Sequence, residues 1–136
     1  MGSYTVGALA SAASVGRDTI RYYERTGLLP PPGRTPSGYR LYRQTDLERV
    51  QFIRTAKRLG FTLQEISQLL SLQSSTSARA TDVLGVTQNK IDEAEARIAE
   101  LIAIKNALEQ VAADCPIDAP ASDCPILAFI SNTSRP

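Results

Sequence analysis

Two cysteines near the C-terminus are the residues of this sequence best suited to carry chemistry. Cys115 and Cys124 stand in the segment "DCPIDAPASDCPIL", and each follows an aspartate and precedes proline and isoleucine. Pro125 is typical of the first position of a short helix, "PILAFIS". A thiol beside a helix N-terminus has a lowered pKa, which favours the thiolate that a metal ion requires. The pair therefore predicts a site for a soft metal ion.

The absence of histidine narrows the choice of metal and of function. The chain contains no histidine, so the commonest nitrogen ligand and the usual catalytic base are both missing. Two sulfur donors suit ions that accept low coordination numbers, above all Cu(I), Ag(I) and Au(I), whereas structural zinc usually takes four ligands. Asp114 or Asp123 could add an oxygen ligand. Without histidine, a glycine-rich phosphate loop or paired carboxylates, we do not expect an enzyme.

The net charge of +1 conceals a marked asymmetry along the chain. Residues 1–60 carry ten basic and four acidic residues, whereas residues 61–136 carry five basic and ten acidic ones. A basic half of this kind predicts contact with a polyanion such as DNA. No apolar run is long enough to cross a bilayer, and no signal-peptide pattern is present, so we expect a cytoplasmic protein without a permanent disulfide.

The first 30 residues have the pattern of two short helices around a tight turn. Thr5 is a candidate N-cap for the first helix, and the second is expected from Arg17 to Arg25, with Gly27 as its stop. Such a pair forms a helix-turn-helix unit. Arg17 and Arg21 share one face of the second helix, where their guanidinium groups can contact a DNA groove and its phosphates.

A β-wing and two further helices are expected next. Ser37-Gly38 is typical of a hairpin turn, and the alternation in "YRLYR" (39–43) indicates a short strand whose Arg40 and tyrosines can contact a DNA backbone. Thr45 is the expected N-cap of the following helix. Thr62 and Glu65 have the spacing of a capping box for the next one. Together these elements predict a winged-helix module.

A long helix is expected from Thr81 to Ala113, because no proline occurs between Thr81 and Pro116. Apolar and small residues recur there at alternating steps of three and four, the pattern of a coiled-coil seam. A rod of roughly 50 Å is too long to be covered by its own small domain. The natural partner is a second copy, which gives a twofold homodimer and a palindromic DNA site. The alternative is one helix packed on its own domain. The seam consists of Leu84, Thr87, Ile91, Ala94, Ile98, Leu101, Lys105, Leu108 and Ala112.

Two segments resemble the DNA-binding half of MerR-family transcription regulators. They are "TIRYYERTGLLPPPGRTPSGYRLY" and "FIRTAKRLGFTLQEISQLL", and the long helix and two-cysteine loop extend the resemblance over nearly the whole chain. The resemblance implies a mainly α fold in three parts. These are a winged helix-turn-helix DNA-binding domain (1–75), a long antiparallel coiled-coil dimerisation helix (76–113), and a metal-binding loop with a short terminal helix (114–136).

The same resemblance implies partners and site residues. It implies a homodimer that binds double-stranded promoter DNA, acts on RNA polymerase there, and distorts an overlong promoter spacer when its metal is bound. By position, Cys115 and Cys124 would be the metal ligands. The DNA contacts would come from Arg17, Thr19, Arg21 and Tyr22 on the recognition helix and from Tyr39, Arg40 and Arg43 in the wing. The dimer contacts would come from Leu84, Ile91, Ile98, Leu101 and Leu108.

The resemblance points to two classes of metal ion, monovalent and divalent. Sensors of divalent ions in this family usually add a third cysteine at the start of the dimer helix, where this chain has Ala80, and copper-type members usually have serine there. The missing thiol favours Cu(I), Ag(I) or Au(I). The eight-residue gap between the cysteines is instead typical of divalent sensors, so a sensor of Hg(II), or of Zn, Cd or Pb, is the first alternative.

The sequence permits two other interpretations of the cysteines. The pair could be inert, or could close a reversible disulfide and sense oxidants. A small thiol or metal-carrier protein without a DNA role belongs to a different class, and the basic first half argues against it.

Overall fold

The computed structural model describes residues 3–133 and is mainly helical, as predicted. The chain forms two compact units, the first ending at Val86 and the second beginning at Thr87, so the division falls within the longest helix. The elements are β1 (Ser3–Tyr4), α1 (Val6–Ala13), α2 (Arg17–Arg25), β2 (Gly33–Arg34), β3 (Arg40–Arg43), α3 (Gln44–Arg58), α4 (Leu63–Ser74), α5 (Ala80–Ala113), a 3-10 turn (Ala121–Asp123) and α6 (Pro125–Thr133).

The helix-turn-helix unit is defined by local capping signals. The Thr5 hydroxyl accepts a hydrogen bond from the backbone N–H of Ala8 at 3.1 Å, which confirms Thr5 as the N-cap of α1. Ser14, with φ 57°, ends α1 in the left-handed conformation. Beyond the end of α2, Gly27 has φ +83°, a conformation that glycine adopts without a steric penalty. Both helices therefore have the predicted bounds.

The wing is a three-stranded antiparallel sheet with β3 at its centre. Arg34 on β2 lies opposite Arg40, and Tyr4 on β1 lies opposite Tyr42. The β2–β3 turn contains Gly38 at φ +91°, in agreement with the predicted turn. Strand β1 was not predicted, because two residues are too few to show a period.

The core of the first unit buries two tyrosines, Tyr23 and Tyr42. Ile20 and Tyr23 of α2 are buried. Tyr42 is only 1% exposed, so the prediction that it contacts DNA is wrong. Its side chain lies on the core side of β3, and its hydroxyl donates a 2.6 Å hydrogen bond to Glu24. The largest fully buried side chains are Leu9, Ile20, Leu29, Tyr42, Val50, Ile53 and Ile66.

The starts of α3 and α4 show which capping predictions hold. Glu65 and Thr62 exchange backbone-to-side-chain hydrogen bonds of 2.8 and 3.2 Å, which confirms the capping box of α4. Thr45 was expected to cap α3, but the N-cap residue is Arg43. The reason is that the carboxylate of Asp46 accepts the backbone N–H of Arg43 at 2.8 Å and thereby moves the helix start back.

Helix α5 begins one residue before the predicted start and ends where predicted. At its beginning the carboxylate of Asp82 accepts the backbone N–H of Arg79 at 2.9 Å. Except for the half-buried Thr87, the predicted seam residues are exposed in the single chain, with Leu84 63% and Ile98 56% exposed. An exposed apolar stripe of this kind requires a covering partner. Over the described part of the chain, no helix is long and apolar enough to cross a membrane.

Candidate nucleic-acid interface and thiol site

Helix α2 and the wing enclose a cationic cleft in the first unit. Arg21, Glu24 and Arg25 contribute from α2, Arg34 and Arg40 from the wing, with prolines 31 and 32 between. A neighbouring depression is lined by Arg21, Arg34, Tyr39 and Arg40 together with Thr5 and Val6. The fold thus brings arginines that are far apart in sequence onto one surface, as binding to phosphates requires.

Arg34 belongs to this surface although it was not among the predicted contacts. It is exposed, and its guanidinium donates a 2.8 Å hydrogen bond to the carbonyl of Gly38 across the turn. Its place opposite Arg40 in the hairpin could have identified it, had the register of the wing been known. The sequence showed the turn but not which residue pairs with which.

The predicted residues of α2 lie on its accessible side. Arg17 is exposed and Thr19 is half-buried. Arg21 is within 3.5 Å of Asp18, and Tyr22, 41% exposed, has the guanidinium of Arg25 at 5.9 Å from its ring centroid. These side chains are available to a ligand, unlike Ile20 and Tyr23 of the same helix.

The predicted wing residues lie on two different parts of the surface. Tyr39, 72% exposed, and the half-buried Arg40 lie on the same cationic surface as Arg21. Arg43 does not line either cleft, because it stands at the start of α3 beside a separate depression that includes Asp46 and Phe52. Its role as a DNA contact therefore remains a prediction that stands apart from the cleft.

Glu24 connects α2 to the wing within the cleft. Its Oε1 atom accepts the hydroxyl proton of Tyr42 at 2.6 Å, and its Oε2 atom is 3.7 Å from Nε of Arg40. Burial raises the pKa of the Tyr42 hydroxyl far above its ordinary value, and the hydrogen bond to Glu24 raises it further. Tyr42 is therefore a neutral donor at any physiological pH.

In the second unit the two thiol groups lie side by side. The Sγ atoms of Cys115 and Cys124 are 2.7 Å apart, well beyond a disulfide bond length, and both residues are half-buried free cysteines. Cys115 follows the last turn of α5 and donates its backbone N–H to the carbonyl of Ala112 at 3.1 Å. Cys124 immediately precedes Pro125, the first residue of α6, as predicted. Both cysteines line a largely apolar depression, together with Pro116, Ile117, Ala119, Pro120, Ala121, Ile126 and Leu127.

The surroundings shift the pKa values of the two thiols in opposite directions. The pKa of Cys124 is lowered, first by its side-chain hydrogen bond with Cys115 and then by hydrogen bonds from the backbone N–H groups of Ile126 and Leu127. The pKa of Cys115 is raised, first by the same side-chain hydrogen bond and then by burial. The thiolate form is therefore favoured at Cys124 relative to Cys115, which agrees with the lowered pKa predicted for a thiol at a helix N-terminus.

This asymmetry predicts the order in which the metal-free thiols react. Below its ordinary pKa, a thiol with a lowered pKa has the larger thiolate fraction and is alkylated faster. We therefore expect iodoacetamide to modify Cys124 before Cys115 near neutral pH, as followed by mass spectrometry of the two peptides over time. In denaturant the two rates should become similar. Equal rates in the folded protein would contradict the opposite pKa shifts of the two thiols.

The donor set fits a soft ion held by two sulfurs of one chain. Tetrahedral coordination with bonds of about 2.3 Å places two sulfurs about 3.8 Å apart, and a linear arrangement of similar bonds places them about 4.6 Å apart. The sulfurs would have to separate by on the order of 1–2 Å. Among the described residues no group of three or more His, Cys, Asp or Glu side chains could hold an ion. Asp114 and Asp123 form no such group with the thiols in this part of the chain, and an oxygen ligand from either of them stays a prediction.

A winged helix-turn-helix unit with an arginine-lined cleft, a long helix and a terminal dithiol loop define a class of DNA-binding regulators. Residues 4–73 match the model of the MerR HTH family regulatory protein, and residues 47–111 match that described as MerR, DNA binding. The chain belongs to the MerR family.

Relatives of this chain extend the similarity beyond the DNA-binding half. The mercuric resistance operon regulatory protein of Bacillus cereus is 40% identical over 113 residues, which cover 83% of this chain and 86% of that protein. The HTH-type transcriptional regulator ZntR of Escherichia coli K12 is 41% identical over 113 residues, 82% of this chain and 80% of that protein.

A solved structure covers nearly the full length of the chain. The transcription regulator PbrR691 of Ralstonia metallidurans CH34, crystallised in complex with Pb(II), aligns with a TM-score of 0.83 at 31% identity. The alignment covers 93% of this chain and 98% of that one.

Proposed function

We propose that this protein is a metal-responsive transcription regulator that binds promoter DNA as a homodimer and responds to a soft metal ion held by Cys115 and Cys124. The observation that carries the proposal is the convergence of two free thiols, with sulfurs 2.7 Å apart, at the end of the long helix of a MerR-family chain. Thiolates are the ligands that soft ions prefer, and the lowered pKa of Cys124 favours its thiolate form.

The DNA-binding part of the proposal rests on the cleft between α2 and the wing. Arg21, Arg34 and Arg40 lie together there, and Arg17, Thr19, Tyr22 and Tyr39 are accessible on the same two elements. Guanidinium groups bind phosphates and base edges, so affinity for DNA must fall as salt concentration rises. A carrier protein without a DNA role would show no such dependence.

The homodimer rests on the exposed stripe of α5. Its apolar residues, among them Ile91 at 44% and Leu101 at 49% exposed, need a covering surface in solution. A second copy presents the same stripe, so a twofold antiparallel pairing covers both at once. The two DNA-binding units would then contact two halves of a palindromic promoter site at which RNA polymerase acts.

Among metals, a divalent soft ion is the first candidate, and Hg(II) foremost. One relative is named for mercuric resistance, and the similar crystal structure contains Pb(II). Hg(II) also accepts two thiolates, so it needs no third ligand from the described chain. These observations favour the divalent alternative over the Cu(I), Ag(I) or Au(I) expected first from the residues.

A monovalent ion is the second candidate, on one specific observation. Ala80 is the first residue of α5, where divalent sensors of the family usually supply a cysteine, and it offers no ligand. Two sulfurs alone suit Cu(I) or Ag(I) equally well. The two candidates thus differ in the preferred ion and agree on its ligands.

Metal binding must be coupled to the shape of the DNA for transcription to respond. Bending a site of 20–30 base pairs costs on the order of 1–6 kcal/mol. The ion must therefore favour the distorting state of the protein over the other state by a comparable free energy. An ion that binds both states equally would leave transcription unchanged.

Anaerobic titration with Hg(II), Pb(II), Zn(II), Cu(I) and Ag(I), with transcription in vitro as the readout, tests the proposal. The template would carry a palindromic site selected from random DNA by the protein itself. We expect Hg(II) to change transcription at the lowest free concentration. A response to Cu(I) or Ag(I) alone would establish the second candidate. No response to any ion, with DNA binding intact, would overturn metal sensing.

Gly7 gives a prediction that separates stability from DNA binding. A Cβ atom at Gly7 would lie 2.6 Å from Nη2 of Arg17, so the guanidinium occupies the space that this glycine leaves. Gly7→Ala should stabilise the helix by about 0.5–1 kcal/mol, because alanine loses less conformational entropy on folding. It should also displace Arg17 and weaken operator binding.

The measurements are thermal unfolding and fluorescence anisotropy with operator DNA. In an Arg17→Ala background the same Gly7→Ala change should leave operator affinity unaltered, since there is no guanidinium to displace. Weaker binding in that background would contradict the role assigned to Gly7.

A further inference from the structure

One acidic side chain lies inside the arginine-lined cleft. Glu24 lines it together with Arg21, Arg25, Arg34 and Arg40, and its side chain is only 11% exposed. A carboxylate repels phosphates, so by charge alone this position weakens binding to DNA. Its presence there needs a physical reason other than attraction of the nucleic acid.

Both oxygens of this carboxylate are directed to the wing. Oε1 accepts the hydroxyl proton of Tyr42 at 2.6 Å, and Oε2 is 3.7 Å from Nε of Arg40. Arg40 and Tyr42 are two residues apart on β3 and so share one face of that strand. Glu24 thereby joins α2 to the wing through one buried anchor, Tyr42, and one half-exposed arginine.

We infer that Glu24 is a positioning residue that sets DNA specificity, by holding Arg40 and the wing in one place against α2 and by opposing binding to unrelated sequences. The inference rests on the proposed DNA-binding function. Contacts to phosphates supply sequence-independent affinity, while the register fixed by positioned contacts allows bases to be read. An arginine held by Glu24 adds its full binding energy only on a duplex whose phosphates or bases lie at its fixed position. An arginine that is free to move can instead contact phosphates on any duplex.

The substitution Glu24→Gln removes the charge and retains the shape. The amide oxygen can still accept the hydroxyl proton of Tyr42, but the ion pair with Arg40 is lost. We expect affinity for unrelated DNA to rise about threefold to tenfold, because one repulsive charge is removed and one arginine is released to phosphates. Operator affinity should rise less, so the ratio of operator to unrelated affinity falls.

The experiment uses the full-length dimer and two duplexes of equal length. One carries the palindrome selected from random DNA, and the other carries its scrambled sequence. Affinities are measured by fluorescence anisotropy at two salt concentrations. Glu48→Gln is the matched control, because Glu48 is an exposed glutamate on α3 of the same unit and lines neither part of the cationic surface. The control should leave the ratio unchanged.

A double substitution tests whether Glu24 acts through Arg40. In an Arg40→Gln background, Glu24→Gln should no longer lower the ratio. An equal fall in that background, or in the Glu48→Gln control, would mean that net charge alone is responsible and would overturn the inference. An unchanged ratio in Glu24→Gln, with normal operator preference in the wild type, would overturn it as well.

Two further measurements distinguish a folding defect of the variant, and a failure of the DNA-binding proposal, from a failure of this inference. Thermal unfolding shows whether Glu24→Gln is folded. If it is not, Tyr42→Phe retains the charge and removes the anchor, and its ratio should fall through weaker operator binding. An unchanged ratio in Tyr42→Phe would then overturn the inference. A wild-type protein without any preference for its selected palindrome would instead overturn the DNA-binding proposal and this inference with it.

Discussion

Replacing either cysteine by serine is expected to abolish the response to metal while operator binding stays nearly intact. In Cys115→Ser or Cys124→Ser one of the two proposed sulfur ligands is lost, and the described residues offer no cluster of three or more His, Cys, Asp or Glu side chains that could hold the ion instead. Loss of even an outer partner of a metal ligand typically costs 10–100-fold in affinity, so loss of a ligand should cost on the order of 100-fold or more. The two variants should be equally inactive, because each leaves a single thiolate.

Transcription and metal affinity measured under reducing, anaerobic conditions check this expectation. Ser122→Ala is the control, since Ser122 is an exposed residue of the same loop and should leave the response unchanged. A thiol redox sensor would also lose its response in both cysteine variants, but it would respond to an oxidant without metal in the wild type. Loss of operator binding in the variants would show that the loop is structural, contrary to the proposal.

An aspartate in the middle of the α5 seam is expected to separate the dimer. Ile98 is 56% exposed in the single chain and lies near the centre of the predicted seam. In a twofold dimer the substitution Ile98→Asp occurs twice and places unpaired charges in an apolar contact, which is strongly unfavourable. A monomer would reach one half-site at a time, so operator affinity should fall by on the order of 10²–10⁴-fold.

Sedimentation and operator binding measured on the same sample test this prediction. The matched control is Ala96→Asp, which adds the same charge two residues away and about 200° around the helix. Ala96 is exposed, and its substitution should leave the dimer intact. A dimer that persists in Ile98→Asp would mean that the chains associate through another surface, and the seam residues Leu84, Ile91, Leu101 and Leu108 would lose their assigned role.

Local signals in the sequence were sufficient for most helices. The Thr5 cap, the Thr62–Glu65 capping box and the stop at Gly27 each depend on residues within a few positions of one another. The same holds for Cys124 beside the first turn of α6. Where a nearby competitor existed, the prediction was wrong, because Asp46 captures the backbone of Arg43 and so displaces Thr45 from the capping position.

What the sequence alone determined is therefore the basic first half, the order of the helices, the long apolar seam and the pair of thiols without histidine. The tertiary structure decided which of two similar tyrosines is exposed, since Tyr39 precedes β3 at the wing's turn while Tyr42 is packed in the core. It also decided that Arg34 joins the cleft and that Cys115 and Cys124 meet sulfur to sulfur. These outcomes depend on the register of the hairpin strands and on the return of the chain across the loop after α5, and neither follows from the short-range periodicity of the sequence.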